Sequence, residues 1–114
     1  MKATTTDATP KKLGSVTVLN SRVGIAIVTV SGYDGTDGIT GQKAVRYKKS
    51  SSGILTLGTA VDVVAPVVDA GLGSSTFTLT AVGNNIDITV TGAAGKTINW
   101  TGNADITPNQ NAVS

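Results

Sequence analysis

The sequence predicts an all-β protein: a single antiparallel β-sandwich of about seven to nine strands, with a jelly roll as one admissible topology. Three observations carry this. First, apolar and polar residues alternate in segment after segment. Phe77, Leu79 and Ala81 alternate with Thr76, Thr78 and Thr80; Ile86, Ile88 and Val90 with Asp87, Thr89 and Thr91; Ile98 and Trp100 with Thr97, Asn99 and Thr101. Successive strand side chains point to opposite faces, so each run has one dry and one wet face. Second, turn residues recur at intervals of roughly 8–12 residues, the spacing of a sandwich or barrel. Third, no stretch sustains a 3.6-residue apolar period; Val61–Ala70 is the one segment with the makings of a helical turn.

With 114 residues the chain makes one domain. Apolar residues make up 39% and charged residues only 14%, at a net charge of +2. Threonine, serine, glycine and asparagine supply the polarity instead, which suits a particle coat or an adhesive module. Two arginines and 4% aromatic residues fall short of the basic, aromatic-bearing face of a nucleic-acid binder. There is no cysteine, so no disulfide staples the fold. No apolar segment follows Met1-Lys2, and the run Val61–Val68 is broken by Asp62 and Pro66, far short of a membrane span.

Taken in order, residues 1–12 read as a polar N-terminal arm or an edge strand, and residues 13–107 as the sandwich. Leu13–Leu19 is a strand, closed by the turn Asn20-Ser21-Arg22. Val23–Val30 (VGIAIVTV) is apolar on both faces, the mark of a central strand covered on both sides. Ser31–Gly41 (SGYDGTDGITG) reads as a loop. Thr40–Lys49 is a strand with a charged face, and Ser50–Gly53 a turn. Ile54–Val64 is a long strand or a bent pair hinged at Gly58, with Leu55, Leu57, Val61 and Val63 facing inward. Ala65–Ser75 is irregular, with a short extended piece at Val67-Val68. Ser75–Thr107 then forms an antiparallel meander, whose connections at Gly83-Asn84-Asn85 and Gly92–Lys96 supply the residues that tight turns need. Phe77, Leu79, Ile86, Ile88, Val90, Ile98 and Trp100 form the expected core. Residues 108–114 are a polar C-terminal tail.

Candidate chemistry is sparse. Without histidine, cysteine or glutamate, the usual nucleophile–base constellations and transition-metal sites are ruled out by composition. Only aspartates remain for acid–base work, and they are scattered along the chain. Asp34-Gly35-Thr36-Asp37-Gly38 offers two carboxylates to a calcium ion, but it equally reads as a Gly/Asp turn and lacks the acidic positions of an EF-hand. No catalytic residue, metal ligand or cofactor is expected. Lys43, Arg46, Lys48 and Lys49 crowd one strand, Arg46 and Lys48 on one face, Lys43 and Lys49 on the other with Val45 and Tyr47. Such a run is either a solvated edge guarded by lysines or a contact for an acidic partner surface. Trp100 reads as a core anchor, with a sugar-stacking platform as the alternative.

Two stretches carry a resemblance. Thr4-Thr5-Thr6-Asp7-Ala8-Thr9-Pro10 and the run from Asn85 through Ile86, Ile88 and Val90 to Val90-Thr91-Gly92-Ala93-Ala94-Gly95-Lys96-Thr97-Ile98-Asn99-Trp100 resemble a small β-module of tailed-bacteriophage structural proteins. That module opens with a TTTDATP-like segment and closes with a stretch like N-x-V-x-V-x-V-T-G-x-A-x-x-T-I-N-W. The likeness brackets residues 4–107. It implies a virion surface module without catalytic residues; the start methionine and the lack of a secretory signal in turn suit synthesis in the host cytoplasm and addition to particles.

Within that setting the expected role is capsid decoration, as a cement protein in contact with other virion proteins, the major capsid protein or tail proteins. No nucleic acid or membrane partner is implied. A chain that begins at its own methionine and shows no fibre shaft favours this reading, and its polar ends favour assembly as a homo-oligomer, a homotrimer above all. The alternative is a tail-tip or fibre adhesin, with Ser31–Gly41 and Ala65–Ser75 binding a receptor or glycan. A free carbohydrate-binding module is a third reading, poorly served by one tryptophan.

Overall fold

The computed structural model describes residues 1–107; the polar tail 108–114 lies outside the described residues. Among these, nine strands and one 3-10 turn build two antiparallel sheets. The strands are β1 (Lys2–Thr5), β2 (Lys11–Thr17), β3 (Arg22–Tyr33), β4 (Gly38–Lys49), β5 (Leu55–Leu57), β6 (Val61–Val68), β7 (Thr76–Val82), β8 (Asn85–Thr91) and β9 (Ile98–Thr107), with the turn at Ala70–Leu72. The larger sheet runs β1-β9-β3-β4, and β5 and β6 share the far edge of β4; the smaller sheet runs β2-β8-β7. β5 pairs with Tyr47–Lys49 and β6 with Ile39–Ala44. Between them the Gly58 amide donates to the Arg46 carbonyl at 2.8 Å, so Gly58 sits at the joint of a bent pair.

The sheets face each other through alternate residues. The larger contributes Ala26, Val28, Val30, Ile39, Val45, Tyr47, Ile98 and Trp100, and the smaller Leu13, Phe77, Ile86, Ile88 and Val90, all buried. Each full side-chain burial contributes about 1.5–3 kcal/mol. The core falls into two clusters along the molecule, one around Trp100 and Phe77, the other around Tyr47 and Val18. Leu79, the one partly exposed member of the expected core, packs against both.

Four expectations are corrected. The Ser75–Thr107 meander breaks after two strands: β7 and β8 pair, but β9 crosses to the other sheet and joins β1 and β3. The strand pattern recorded which face of β9 is dry but not which sheet it belongs to. The loop Ser31–Gly41 shrinks to Asp34–Asp37, because β3 and β4 pair as far as Tyr33↔Gly38. Gly35 serves the turn at φ 99°, but Gly32 and Gly41 answer to packing: a Cβ on Gly32 would lie 2.8 Å from Cε3 of Trp100, and one on Gly41 3.1 Å from the Phe77 ring. Glycine inside a strand marks close approach by a neighbour. The Ala65–Ser75 segment is strand from its first residue, so the extended piece expected at Val67-Val68 is the end of an unbroken β6. Finally, Val61 and Val63 do not face inward; both are exposed, and Val61 pairs with Ala44 on the outer side of β4.

The N-terminal residues are tied into this frame. β1 pairs with β9 at Ala3↔Trp100 and Thr5↔Ile98. The buried Trp100 indole Nε1 donates to Thr5 Oγ1 at 2.9 Å, and a Cβ on Gly92 would strike Thr5 Oγ1 and the Asp7 carbonyl. The opening and closing motifs are therefore one packed unit. Replacing Thr5 by Val keeps the shape but orphans the indole N–H, and is expected to cost about 1–3 kcal/mol in urea unfolding. Gly32→Ala drives a methyl into the Trp100 ring and is expected to cost about 1–3 kcal/mol in the same measurement.

Candidate functional site

The outer face of the larger sheet is the first candidate. The pattern VGIAIVTV predicts cover on both sides of β3, and the structure corrects this: β3 is central within its sheet, yet Val23 is 55% and Ile25 49% exposed. The reason is arithmetic of strands, since three strands of the smaller sheet cover only the inner face. In register, Val23 lies beside Lys48, Ile25 beside Arg46, and Ile27 beside Ala44, which in turn lies beside Val61. Val64 and Val67 extend this row along β6, opposite Gln42 and Thr40. Val61, Val63, Val64 and Val67 are all exposed, on a strand with one edge unpaired in the described residues. A long apolar edge strand is a template for association unless blunted; here only Asp62 and Pro66 interrupt it.

The basic strand divides as its alternation implies. Lys49 is 4% exposed and its Nζ donates to the Val18 carbonyl at 2.5 Å, tying the two sheets together. Lys43 Nζ contacts Asp62 Oδ1 at 2.9 Å and lies 5.3 Å from the Phe77 ring centroid, clamping β6 to β4. Arg46 and Lys48 are exposed on the outer face. Of the four residues put forward for partner contact, then, the structure brings Arg46 and Lys48 together at the surface beside Ile25 and Val23 and engages Lys43 and Lys49 internally. Asp87, expected at solvent, keeps only 15% of its side chain exposed, with Lys12 Nζ 3.7 Å away. That separation is an ion pair without a hydrogen bond, and Asp87 Oδ1 has no hydrogen-bond partner.

The second candidate is a concavity of about 460 Å³ at the other end of the same face. It forms where the β3–β4 turn meets the end of β6. The Gly38 amide donates to Asp69 Oδ2 at 2.9 Å and the Asp69 amide to the Gly38 carbonyl at 3.0 Å, so the two segments are locked reciprocally. Asp34 Oδ1 accepts from the amides of Asp37 (2.7 Å) and Thr36 (2.8 Å), the closed geometry of an Asx turn. The Tyr33 hydroxyl donates to the Gly35 carbonyl at 2.9 Å, while the residue stays 56% exposed. Tyr33, Asp69, Asn99 and Thr101 line the concavity. The two loops put forward as ligand-binding candidates contain Tyr33 and Asp69, whereas Asn99 and Thr101 were passed over; their signal was a polar residue on the wet face of its strand.

The carboxylates of this region act as acceptors. The Asp37 amide first, then that of Thr36, holds the Asp34 carboxyl below its ordinary value of 3.8. No group of three or more metal-ligating side chains occurs among the described residues.

No protein-family model matches the chain, and no curated protein is a detectable relative. Among solved structures, the tailspike protein of Acinetobacter baumannii phage AM24 aligns with a TM-score of 0.41 at 14% identity, covering 99% of this chain and 27% of that one. The chain thus spans about a quarter of that tailspike.

A pH dependence follows for the turn. A carboxyl whose folded pKa is lowered stabilises the folded form above its ordinary pKa, and that contribution disappears as pH falls through the lowered value. Amide protection at Thr36 and Asp37 is therefore expected to be full above about pH 4 and to fade below it, with Asp34 titrating beneath 3.8 by NMR. A carboxyl titrating above 3.8 would contradict the hydrogen bonds.

Proposed function

We propose that this chain is a non-enzymatic bacteriophage virion structural module, and specifically a capsid decoration (cement) protein that attaches through the outer face of its larger sheet. The observation that carries this reading is that face itself: Val23, Ile25, Val61, Val64 and Val67 lie exposed together with Arg46 and Lys48 on one surface. Contiguous apolar surface of this kind marks a protein interaction site. Arg46 and Lys48 add steering toward an acidic partner. The virion setting rests on the phage-module motifs, whose two halves meet at Thr5, Gly92 and Trp100. The partner is the major capsid protein or a tail protein, reached from the host cytoplasm during assembly, with the module present as a homo-oligomer, a homotrimer above all. Lattice attachment suits such a surface, since many weak contacts sum to a strong one.

The non-enzymatic reading is supported by the carboxylates. A general acid needs a proton to give near neutral pH, and Asp34 is held ionised by backbone amides. Asp69 accepts a hydrogen bond from Gly38. A tail-tip adhesin is the second reading, favoured by the meeting of the two loops in one concavity.

Two outcomes test attachment. Ile25→Asp and Val64→Asp are expected to abolish incorporation into particles while leaving the unfolding midpoint nearly unchanged, because both side chains are exposed. Exchanging Arg46 and Lys48 for Ser is expected to weaken binding and flatten its salt dependence. Hundreds of copies per particle support decoration; a handful at the tail tip, with host adsorption lost on deletion, establishes the adhesin instead.

A further inference from the structure

We propose that the concavity at Tyr33 and Asp69 is a binding site for a neutral, hydroxyl-rich carbohydrate, with the tyrosine ring stacking on a pyranose face and Asp69 and Asn99 taking its hydroxyls. Such a site works equally on a shell or at a tail tip. Its volume of about 460 Å³ falls in the range of small-ligand sites, about 300–1,000 Å³, and accommodates a mono- or disaccharide.

The chemistry of the lining is the argument. A pyranose ring has an apolar face of C–H groups and a rim of hydroxyls that both donate and accept. Recognition needs a flat aromatic surface and fixed hydrogen-bonding groups beside it. Tyr33 supplies the first: it is 56% exposed, and its hydroxyl is bonded to Gly35, so the ring is oriented before any ligand arrives. An aromatic residue held in place at low entropic cost is suited to stacking. It sits beside Gly38 and Asn99 in strand register, and neither neighbour carries a bulky apolar side chain to cover it.

The polar groups are equally placed in advance. Asp69 Oδ2 accepts from the Gly38 amide, which positions the carboxylate and leaves Oδ1 to accept from a sugar hydroxyl, a charge-assisted bond. Asn99 Oδ1 accepts from Thr4 Oγ1 at 3.0 Å, which orients its amide nitrogen as a donor. Ser31 and Thr101 bring paired hydroxyls 3.2 Å apart. The concavity thus sets hydroxyl, amide and carboxylate groups beside the apolar Val67 and Ile39, and Lys2 lies next to Thr101 in register on the same face. Local charge selects within the ligand class. Asp69 lies in the concavity, and Asp34 and Asp37 stand in the adjoining turn; Lys96 acts on Asp34, and Lys2 lies beside Thr101. Three carboxylates against two ammonium groups disfavour uronic and sialic acids and tolerate neutral sugars.

Saturation-transfer NMR on the whole chain tests this, with the methyl glycosides of glucose, galactose, mannose and N-acetylglucosamine, and that of glucuronic acid as the acidic control. At least one neutral glycoside is expected to bind with a dissociation constant in the millimolar range, and the glucuronide not to bind. Tyr33→Ala is expected to weaken binding about tenfold, and Asp69→Asn, which keeps an acceptor for Gly38, about fivefold. Should Tyr33→Ala fail to fold, Asn99→Ala on the exposed face serves in its place and is expected to weaken binding as well. Silence from every neutral glycoside at about 10 mM, preference for the glucuronide, or undiminished binding by the folded variants overturns the proposal. Particle incorporation measured alongside separates this site from attachment: Tyr33→Ala leaves incorporation intact, whereas Ile25→Asp removes it and leaves glycoside binding intact.

Discussion

The burial of one indole organises this molecule. Trp100 is the largest buried side chain, and its N–H cannot be left unpaired in the core without a penalty of about 1–3 kcal/mol. Thr5 answers that demand from β1, which brings the N-terminal residues into the sheet instead of leaving them as an arm. The ring's breadth demands a second concession, the bare backbone of Gly32 directly beneath it. Gly92 lets the β8–β9 crossing pass close to Thr5 and Asp7. One aromatic residue thus ties the first strand, the last strand and the connection between the sheets. It also explains why the two stretches that resemble a phage module are far apart in sequence yet adjacent in space.

The second organising fact is asymmetry. Six strands face three, so the sandwich has one dry interior and one broad face without cover. That face is chemically divided along its length. Its lower part combines Val23, Ile25 and Ile27 with Ala44 and Val61, beside Arg46 and Lys48. Its upper part carries Thr29, Ser31, Thr101 and Asn103, with the Ser31 and Thr101 hydroxyls bonded to each other and Gln42 Nε2 donating to Thr29 Oγ1. The first composition suits a protein partner that excludes water, the second a ligand that carries its own hydroxyls.

The four cations of β4 show how alternation assigns roles to one residue type. On the inner side, Lys49 donates to a main-chain carbonyl of the other sheet, and Lys43 joins Asp62 over the Phe77 ring. These are structural ties made by long aliphatic stems that bury while their ammonium groups stay bonded. On the outer side, Arg46 and Lys48 keep their charge for whatever approaches. Composition alone cannot separate these roles, but the parity of the position does.

The sequence by itself determined the fold class, most strand positions and the dry faces. These depend on local rules: a period of two, turn residues, and the absence of a helical period. Phe77, Ile86, Ile88, Val90, Ile98 and Trp100 were legible as core for that reason, and so was the split of Lys43 and Lys49 from Arg46 and Lys48. Which sheet each strand joins was decided only in the folded chain. β9 pairs with β1 and β3 because that choice satisfies the Trp100 indole and fills the space over Gly32, and both partners lie more than sixty residues away. The exposure of Val23, Ile25, Val61 and Val63 was illegible for the same reason, since an apolar face reads alike whether a second sheet, a partner or water lies against it. The concavity at Tyr33 needed the reciprocal bonds of Gly38 and Asp69, thirty-one residues apart, and no local pattern encodes a meeting of that kind.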